Sequence, residues 1–319
     1  MIVLDLHTMR HVSAQEANIP TVLCLGSFDG VHLGHRALIE RAKQEAAVLG
    51  AGGRQVLVGV FCFIVPPKVI LSGEKTPQIN SLREKLHLFS ECGVDRVYLG
   101  DFARLRDVLP EMFIREVLMD TCHAAATVCG FNFRFGRGGS GTPEDLQAVF
   151  GNNAHTVDAV LQDGEPISST RIRMLLEEGQ TEAACRMMGH PFLLEAPVVH
   201  GKALGRTIGL PTANQCFPRQ HVIPSHGIYA TKVETPSGVY VGVTNVGIRP
   251  TVHDGFGVNS ETFILDFNET LYGEVIRTSF YHKLRDEKQF ENLEALRTAI
   301  RADGEAAGRY FAEGRDKQI

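Results

Sequence analysis

The period of the apolar positions changes near residue 190. Before it, short continuous apolar runs alternate with helical patterns. Thr21–Leu25 (TVLCL) has strand length and stops at Gly26. From about Gly34 a helical pattern follows, with Leu38, Ala42 and Leu49 on one face and Glu40, Arg41 and Lys43 largely elsewhere. Residues 55–61 (QVLVGVF) predict a second strand, and 96–99 and 126–129 predict shorter ones. Helical patterns at 81–92 and 111–121 lie between them. Strand and helix in alternation predict a parallel α/β sheet with right-handed crossovers, whose ligands sit at the carboxyl ends of the strands.

From about Phe192 the runs are strand-like and joined by turns. Residues 227–235 and 239–245 flank Pro236-Ser237-Gly238, a hairpin signal. Residues 261–267 and 274–281 extend the series, and a closing helix places Leu293, Leu296 and Ile300 on one face. Consecutive strands without helices between them predict an antiparallel β-barrel followed by a terminal helix. The domain boundary falls within 186–194 and is set at 188/189, giving domains 1–188 and 189–319.

At 319 residues, with about 150 per domain, two domains are expected. With 44% hydrophobic and 22% charged residues the chain is not mainly disordered. A net charge of −5 argues against a nucleic-acid binder working through a broad basic surface. No run approaches a membrane span, and the start (MIVLDLHTMRHV) lacks a signal peptide's apolar stretch, so no membrane partner and a cytoplasmic location are expected. The seven cysteines show no C-x-x-C pair and read as reduced and structural. Nothing in the pattern indicates an oligomeric state.

Three segments carry candidate chemistry. Gly26-Ser27-Phe28-Asp29-Gly30-Val31-His32-Leu33-Gly34-His35 joins the first apolar strand to the first helix. Glycines and a helix N-terminus there suit phosphates, and His32 and His35, three apart, can face one ligand. This is neither a P-loop nor G-x-G-x-x-G. Ile167-Ser168-Ser169-Thr170-Arg171-Ile172-Arg173 reads as a capped helix start, and its two arginines oppose the helix dipole and so ask for an anion. In 201–214 (GKALGRTIGLPTAN) the glycines and lysine can wrap phosphates. Thr212 and Asn214, two apart on an extended segment, present oxygens to one side in a manner suited to Mg²⁺. Glu261, a carboxylate opening an apolar strand, can act as base for a substrate hydroxyl, although an exposed strand end reads the same way.

Together with 128–136 (VCGFNFRFG), 243–251 (VTNVGIRPT) and 283–288 (KLRDEK), these segments resemble, in order and over nearly the whole chain, the bacterial bifunctional riboflavin kinase/FAD synthetases. The resemblance implies a Rossmann-like nucleotidyltransferase domain followed by a kinase barrel. The kinase phosphorylates riboflavin from ATP to give FMN, and the first domain adenylylates FMN to FAD, both with Mg²⁺. Riboflavin, ATP, FMN and FAD are then the small-molecule partners. It implies Glu261 as the kinase base and Thr212 and Asn214 as metal and phosphate ligands. Gly201, Lys202, Gly205 and Arg206 become a loop over the nucleotide, and Arg285 a flavin neighbour. In the first domain Gly26, Phe28, His32, His35, Ser168, Ser169, Arg171 and Arg173 fall on nucleotide-binding positions, and Asn132 lies near the flavin.

The departures cluster. Where the family reads F-[DE]-P-H-P, this chain has Phe63-Ile64-Val65-Pro66-Pro67, so Ile64 and Pro66 replace an acid and a histidine. Gly139 and Thr142 stand where an arginine and an aspartate are usual. Phe263 stands where a histidine is often found, and His226 where an aspartate is. FAD synthesis is expected to be retained but weakened. A monofunctional riboflavin kinase with a degenerate first domain, and a non-enzymatic flavin-binding regulator, are the competing readings.

Overall fold

A computed structural model describes residues 1–6, 18–72, 76–201, 205, 209–248 and 258–319. By contacts the chain divides into two units. The first comprises Met1–Thr76 and Lys85–Ile167, the second Pro77–Glu84 and Ser168–Ile319.

The first unit is built on six parallel strands: β1 (Ile2–Asp5), β2 (Thr21–Leu25), β3 (Leu57–Phe63), β4 (Arg96–Gly100), β5 (Ala124–Gly130) and β6 (Ala154–Val157), in the order β1-β4-β3-β2-β5-β6. All five residues of β2 are buried, which is why its sequence is unbroken apolar rather than alternating. Strand order reverses at β2, so its carboxyl end opens the crevice where doubly wound sheets bind ligands. Helices α1 (Leu33–Leu49), α2 (Leu82–Glu91), the wide i→i+5 helix α3 (Phe113–Thr121) and α4 (Pro143–Phe150) accompany the strands. A core including Leu23, Leu25, Phe61, Tyr98, Phe113, Leu118 and Leu146 fills the unit. The parallel-sheet expectation is met. The apolar pattern did not foresee β1, α4 or β6, whose residues are mostly half-exposed and carry weak periodicity. A two-residue ribbon, β7 (Leu161–Gln162) with β8 (Glu165–Pro166), follows.

The main segment of the second unit opens with α5 (Ser169–Glu177) and α6 (Thr181–Met188), so the contact division at Ser168 falls about twenty residues before the strands start. Its antiparallel sheet contains β9 (Phe192–Pro197), β10 (Thr212–Cys216), β11 (Gly227–Thr235), β12 (Gly238–Ile248), β13 (Val258–Ile264) and β14 (Val275–Arg285), in the order β10-β13-β12-β11-β14-β9. The sheet curls until its edges meet. Val199 N–H donates to Asn214 O at 2.8 Å, and the buried Gln215 amide donates to Ala196 O and Ile276 O at 2.9 Å each. The predicted hairpin closes at Thr235 opposite Gly238. On the inner face Thr231, Thr244 and Thr262 form a buried hydroxyl ladder with O···O separations of 2.8 and 2.9 Å. Glu84, fully buried, accepts the N–H groups of Ser81 (2.7 Å) and Glu195 (2.8 Å) and pairs with His221 Nε2 at 2.9 Å.

The terminal helix α7 (Leu293–Ala312) buries Asp303, Gly304, Ala307 and Tyr310, not the face expected from Leu293, Leu296 and Ile300. Leu293 is exposed, whereas Leu296 and Ile300 line a cavity. That apolar face is a pocket wall rather than core. All seven cysteines are free. No helix among the described residues is long and apolar enough to cross a membrane.

Candidate functional site

In the first unit, Gly26 leaves β2 and the chain folds tightly into α1. Phe28 (φ 50°) and Val31 (φ 36°) are both buried and in the left-handed region, alongside Gly30 (φ 87°). A β-branched residue at positive φ is a strained outlier, and such strain persists where surrounding structure fixes it, commonly at binding sites. The turn delivers His32 as N-cap of α1, where its Nδ1 accepts the His35 N–H at 3.4 Å. An accepting Nδ1 places the proton of a neutral His32 on Nε2. The two imidazoles stack with centroids 3.7 Å apart, and Phe28 packs against His35 at 5.0 Å. Burial, then the charge of His32, then that of Lys85 hold the His35 pKa well below its ordinary 6.5, so His35 is neutral at physiological pH. His35 Nδ1 is buried with no hydrogen-bond partner among the described residues. The first turn of α1 carries no acidic residue, so no carboxylate of the helix itself offsets the positive end of its dipole.

Asn132 is exposed just past the carboxyl end of β5. Ile64 and Val65 are exposed past the end of β3. Two of the departures have local structural work. Thr142 caps α4 in a box with Asp145, and Gly139 (φ 67°) occupies a left-handed turn. The run at 168–173 belongs by contacts to the second unit. There Ser168 caps α5 by accepting the Arg171 N–H at 3.3 Å, and Ile172 and Leu176 are fully buried.

In the second unit, antiparallel register sets Asn214 opposite Glu261, and Glu261 opposite Asn245. Ile228 faces Asn245 on one side and Arg285 on the other, so the row crosses five strands. Thr212 Oγ1 donates to Glu261 Oε1 at 2.6 Å, and Asn214 Oδ1 accepts from Asn259 Nδ2 at 2.8 Å. Two cavities meet here. One, of about 280 Å³, includes Gly201, Thr212, Asn214, Glu269 and Tyr272 in its lining. The other, of about 270 Å³, is lined by Gly205, Thr212, Asn245, Glu261, Phe290 and Ile300, among others. Thr212 belongs to both, so one hydrogen bond spans the junction between the two spaces.

Gly201 needs its missing side chain, because a Cβ there would lie 2.6 Å from the Asn214 amide nitrogen. Arg285 lines the second cavity, but its fork is engaged. Nε and Nη2 donate to the two oxygens of Asp303 at 2.9 and 2.6 Å, and Nη1 donates to Asp286 O at 2.9 Å. It braces α7 against the sheet as the cavity's wall. Lys202 and Arg206 lie outside the described residues. Asn245 was not singled out in the sequence, yet its Oδ1 is buried beside Glu261 with no hydrogen-bond partner among the described residues. The signal that identifies it is the strand register, which spacing alone does not carry.

Comparison with known proteins follows the same division. The family model for riboflavin kinase matches residues 188–311, and that for FAD synthetase matches residues 14–171. The chain is 33% identical over 316 residues to the bifunctional riboflavin kinase/FMN adenylyltransferase of Bacillus subtilis (strain 168), covering 96% of this chain and 97% of the relative. It is 36% identical over 310 residues to the Escherichia coli (strain K12) protein of the same description, covering 94% and 96%. A crystal structure described as a macrolide-efflux protein from Streptococcus pneumoniae superposes with a TM-score of 0.83 at 28% identity, covering 96% of this chain and 99% of that one. The crevice at the reversal of the parallel sheet, the paired cavities of the curled sheet and these matches across both units agree: the chain belongs to the family of bifunctional riboflavin kinase/FMN adenylyltransferases.

Proposed function

We propose that the second unit phosphorylates riboflavin from ATP and that the first unit joins AMP from a second ATP to the resulting FMN, giving FAD and pyrophosphate. The observation that carries the kinase half is the Thr212–Glu261 hydrogen bond at the junction of two cavities. A phosphoryl donor in one space and a hydroxyl acceptor in the other meet at that point, and Glu261 takes the proton of the ribityl hydroxyl. Phosphoryl transfer relies mainly on positioning and charge neutralisation, which a carboxylate and polar cradle supply without covalent help.

The cradle suits Mg²⁺ in chemistry as well as shape. Thr212 and Asn214 offer hard oxygen donors, and the bare Gly201 leaves room beside them. When bound there, Mg²⁺ neutralises charge on the transferring phosphates. Gly201 and Gly205, with Lys202 and Arg206, wrap the nucleotide tail. Arg285 keeps the flavin cavity open through its brace on α7.

In the adenylyl-transfer half, His32 and the neutral His35 engage the phosphates of ATP. Gly26 and the strained Phe28 shape the approach, Asn132 lies toward the flavin, and the run Ser168, Ser169, Arg171 and Arg173 resembles the family's second phosphate-binding segment. This reading places the chain in the cytoplasm with small-molecule partners.

Product analysis after mixing the protein with riboflavin, ATP and Mg²⁺ tests both halves, with FAD and pyrophosphate expected. FMN as sole product overturns the adenylyl-transfer half. Absence of any flavin product overturns the whole reading.

A further inference from the structure

We propose that Lys85 is a phosphate-binding residue of the adenylyl-transfer site, gripping the β-phosphate of ATP and then the departing pyrophosphate. This rests on the function proposed above for the first unit and adds a group to its machinery that no sequence motif marked.

Lys85, Leu88 and Phe89 share the buried face of α2, with relative exposures of 2%, 1% and 0%. Phe89 packs edge-on against Phe28 at 5.4 Å, and Phe28 packs against His35. The helix face that carries Lys85 is therefore fitted against the turn that carries the two imidazoles. The charge of Lys85 acts on His35 and also on Cys62, the penultimate residue of β3. Its ammonium thus lies toward the carboxyl ends of the strands and the amino end of α1. No hydrogen bond or ion pair to Lys85 is found among the described residues.

A lysine used for packing keeps its stem on apolar surface and its head in water. In Lys85 the stem is buried within the protein, the whole residue being 2% exposed. Holding an ammonium on a buried stem costs desolvation, and a methionine or leucine would fill the same space without that cost. What such a cation matches is an anion that arrives with the substrate. His32 and the positive end of the α1 dipole lie on the turn packed against the same helix face.

The chemistry places a use for it. A phosphate oxygen of FMN forms a bond to Pα of ATP, and the bond from Pα to the α–β bridging oxygen breaks. The electron pair of that bond leaves with pyrophosphate, so negative charge grows on the leaving group. A fixed ammonium there stabilises the transition state more than the ground state.

Lys85→Met keeps an unbranched stem, one heavy atom shorter, and removes the charge, and Lys85→Arg restores a cation. The proposal expects Lys85→Met to lower kcat/KM for FAD formation by about 10²-fold or more and to weaken Mg-pyrophosphate binding, measured by calorimetry, by about tenfold or more. FMN formation in the same polypeptide should stay within about twofold, and Lys85→Arg should recover part of the loss. Lys85→Gln replaces the methionine variant if that one does not fold. FAD formation and pyrophosphate binding both within about threefold of wild type overturn the proposal. Equal loss of FMN and FAD formation in Lys85→Met and Lys85→Gln assigns the residue to the fold and overturns it too. If the wild-type protein makes no FAD, the adenylyl-transfer reading fails. The pyrophosphate titration of wild type against Lys85→Met then still decides whether Lys85 holds the anion.

Discussion

Replacing Glu261 by glutamine isolates the role of one negative charge. The amide has nearly the shape of the carboxylate, so the row Asn214–Glu261–Asn245 keeps its packing. The Thr212 hydroxyl, now 2.6 Å from Oε1, keeps an oxygen acceptor but loses a charged one. A hydrogen bond to a charged group contributes about 1.5–3 kcal/mol and a neutral one about 1 kcal/mol, so the loss is on the order of 1 kcal/mol. Against a typical stability of about 5–15 kcal/mol the variant remains folded. The chemical effect is larger. A positioned base contributes about 10²–10⁴-fold, or roughly 2.7–5.5 kcal/mol of barrier at about 1.36 kcal/mol per decade. The assay follows FMN formed from riboflavin and Mg-ATP, with FAD formed from added FMN as the control on the same polypeptide. The expected result is a fall in kcat of about 10²–10⁴-fold, a KM for ATP within about tenfold, and unchanged FAD formation from FMN. A Glu261→Gln protein that keeps more than about a tenth of the wild-type rate would refute the assignment of Glu261 as base.

Three further outcomes are expected. Gly201→Ala forces a methyl group to within 2.6 Å of the Asn214 amide; the KM for Mg-ATP in FMN synthesis should rise about tenfold or more, with riboflavin binding measured by fluorescence unchanged. Glu84→Leu leaves His221 and two backbone N–H groups buried without their acceptor, and should cost the second unit about 3–5 kcal/mol in urea unfolding. Acid should act in two steps. Burial would raise the Glu84 pKa, but His221 and the two N–H groups overcome it and hold the carboxylate below 4.5, so unfolding takes up a proton there and stability falls as pH drops below about 4.5. His35, held below 6.5 chiefly by burial, likewise gains a proton only on unfolding, so stability also falls as pH drops below about 6.5. Hydrogen exchange of α1 amides should report the His35 step and that of β9 and β10 the Glu84 step. Loss of the first step in His35→Ala and of the second in Glu84→Gln checks each assignment.

The division into a parallel and an antiparallel half was legible in the order of residues alone, because buried parallel strands must be continuously apolar and hairpins need their turn residues. It also marked His32, His35, Thr212, Asn214 and Glu261, because local spacing brings chemistry-bearing groups to one turn or one side of one strand. It misjudged the apolar face of α7, since a pocket wall and a core contact ask for the same side chains. Which distant positions meet was set by the folded arrangement. Thr212 and Glu261 are joined by strand register, Asn245 enters the row through a third strand, and Arg285 is committed to Asp303 across the α7 contact. Lys85 became visible only once α2 was packed against the turn after β2. Periodicity records which face of an element is buried, whereas a site is made by the pairing of faces from elements far apart in the chain. That pairing depends on register and packing, which no local pattern encodes.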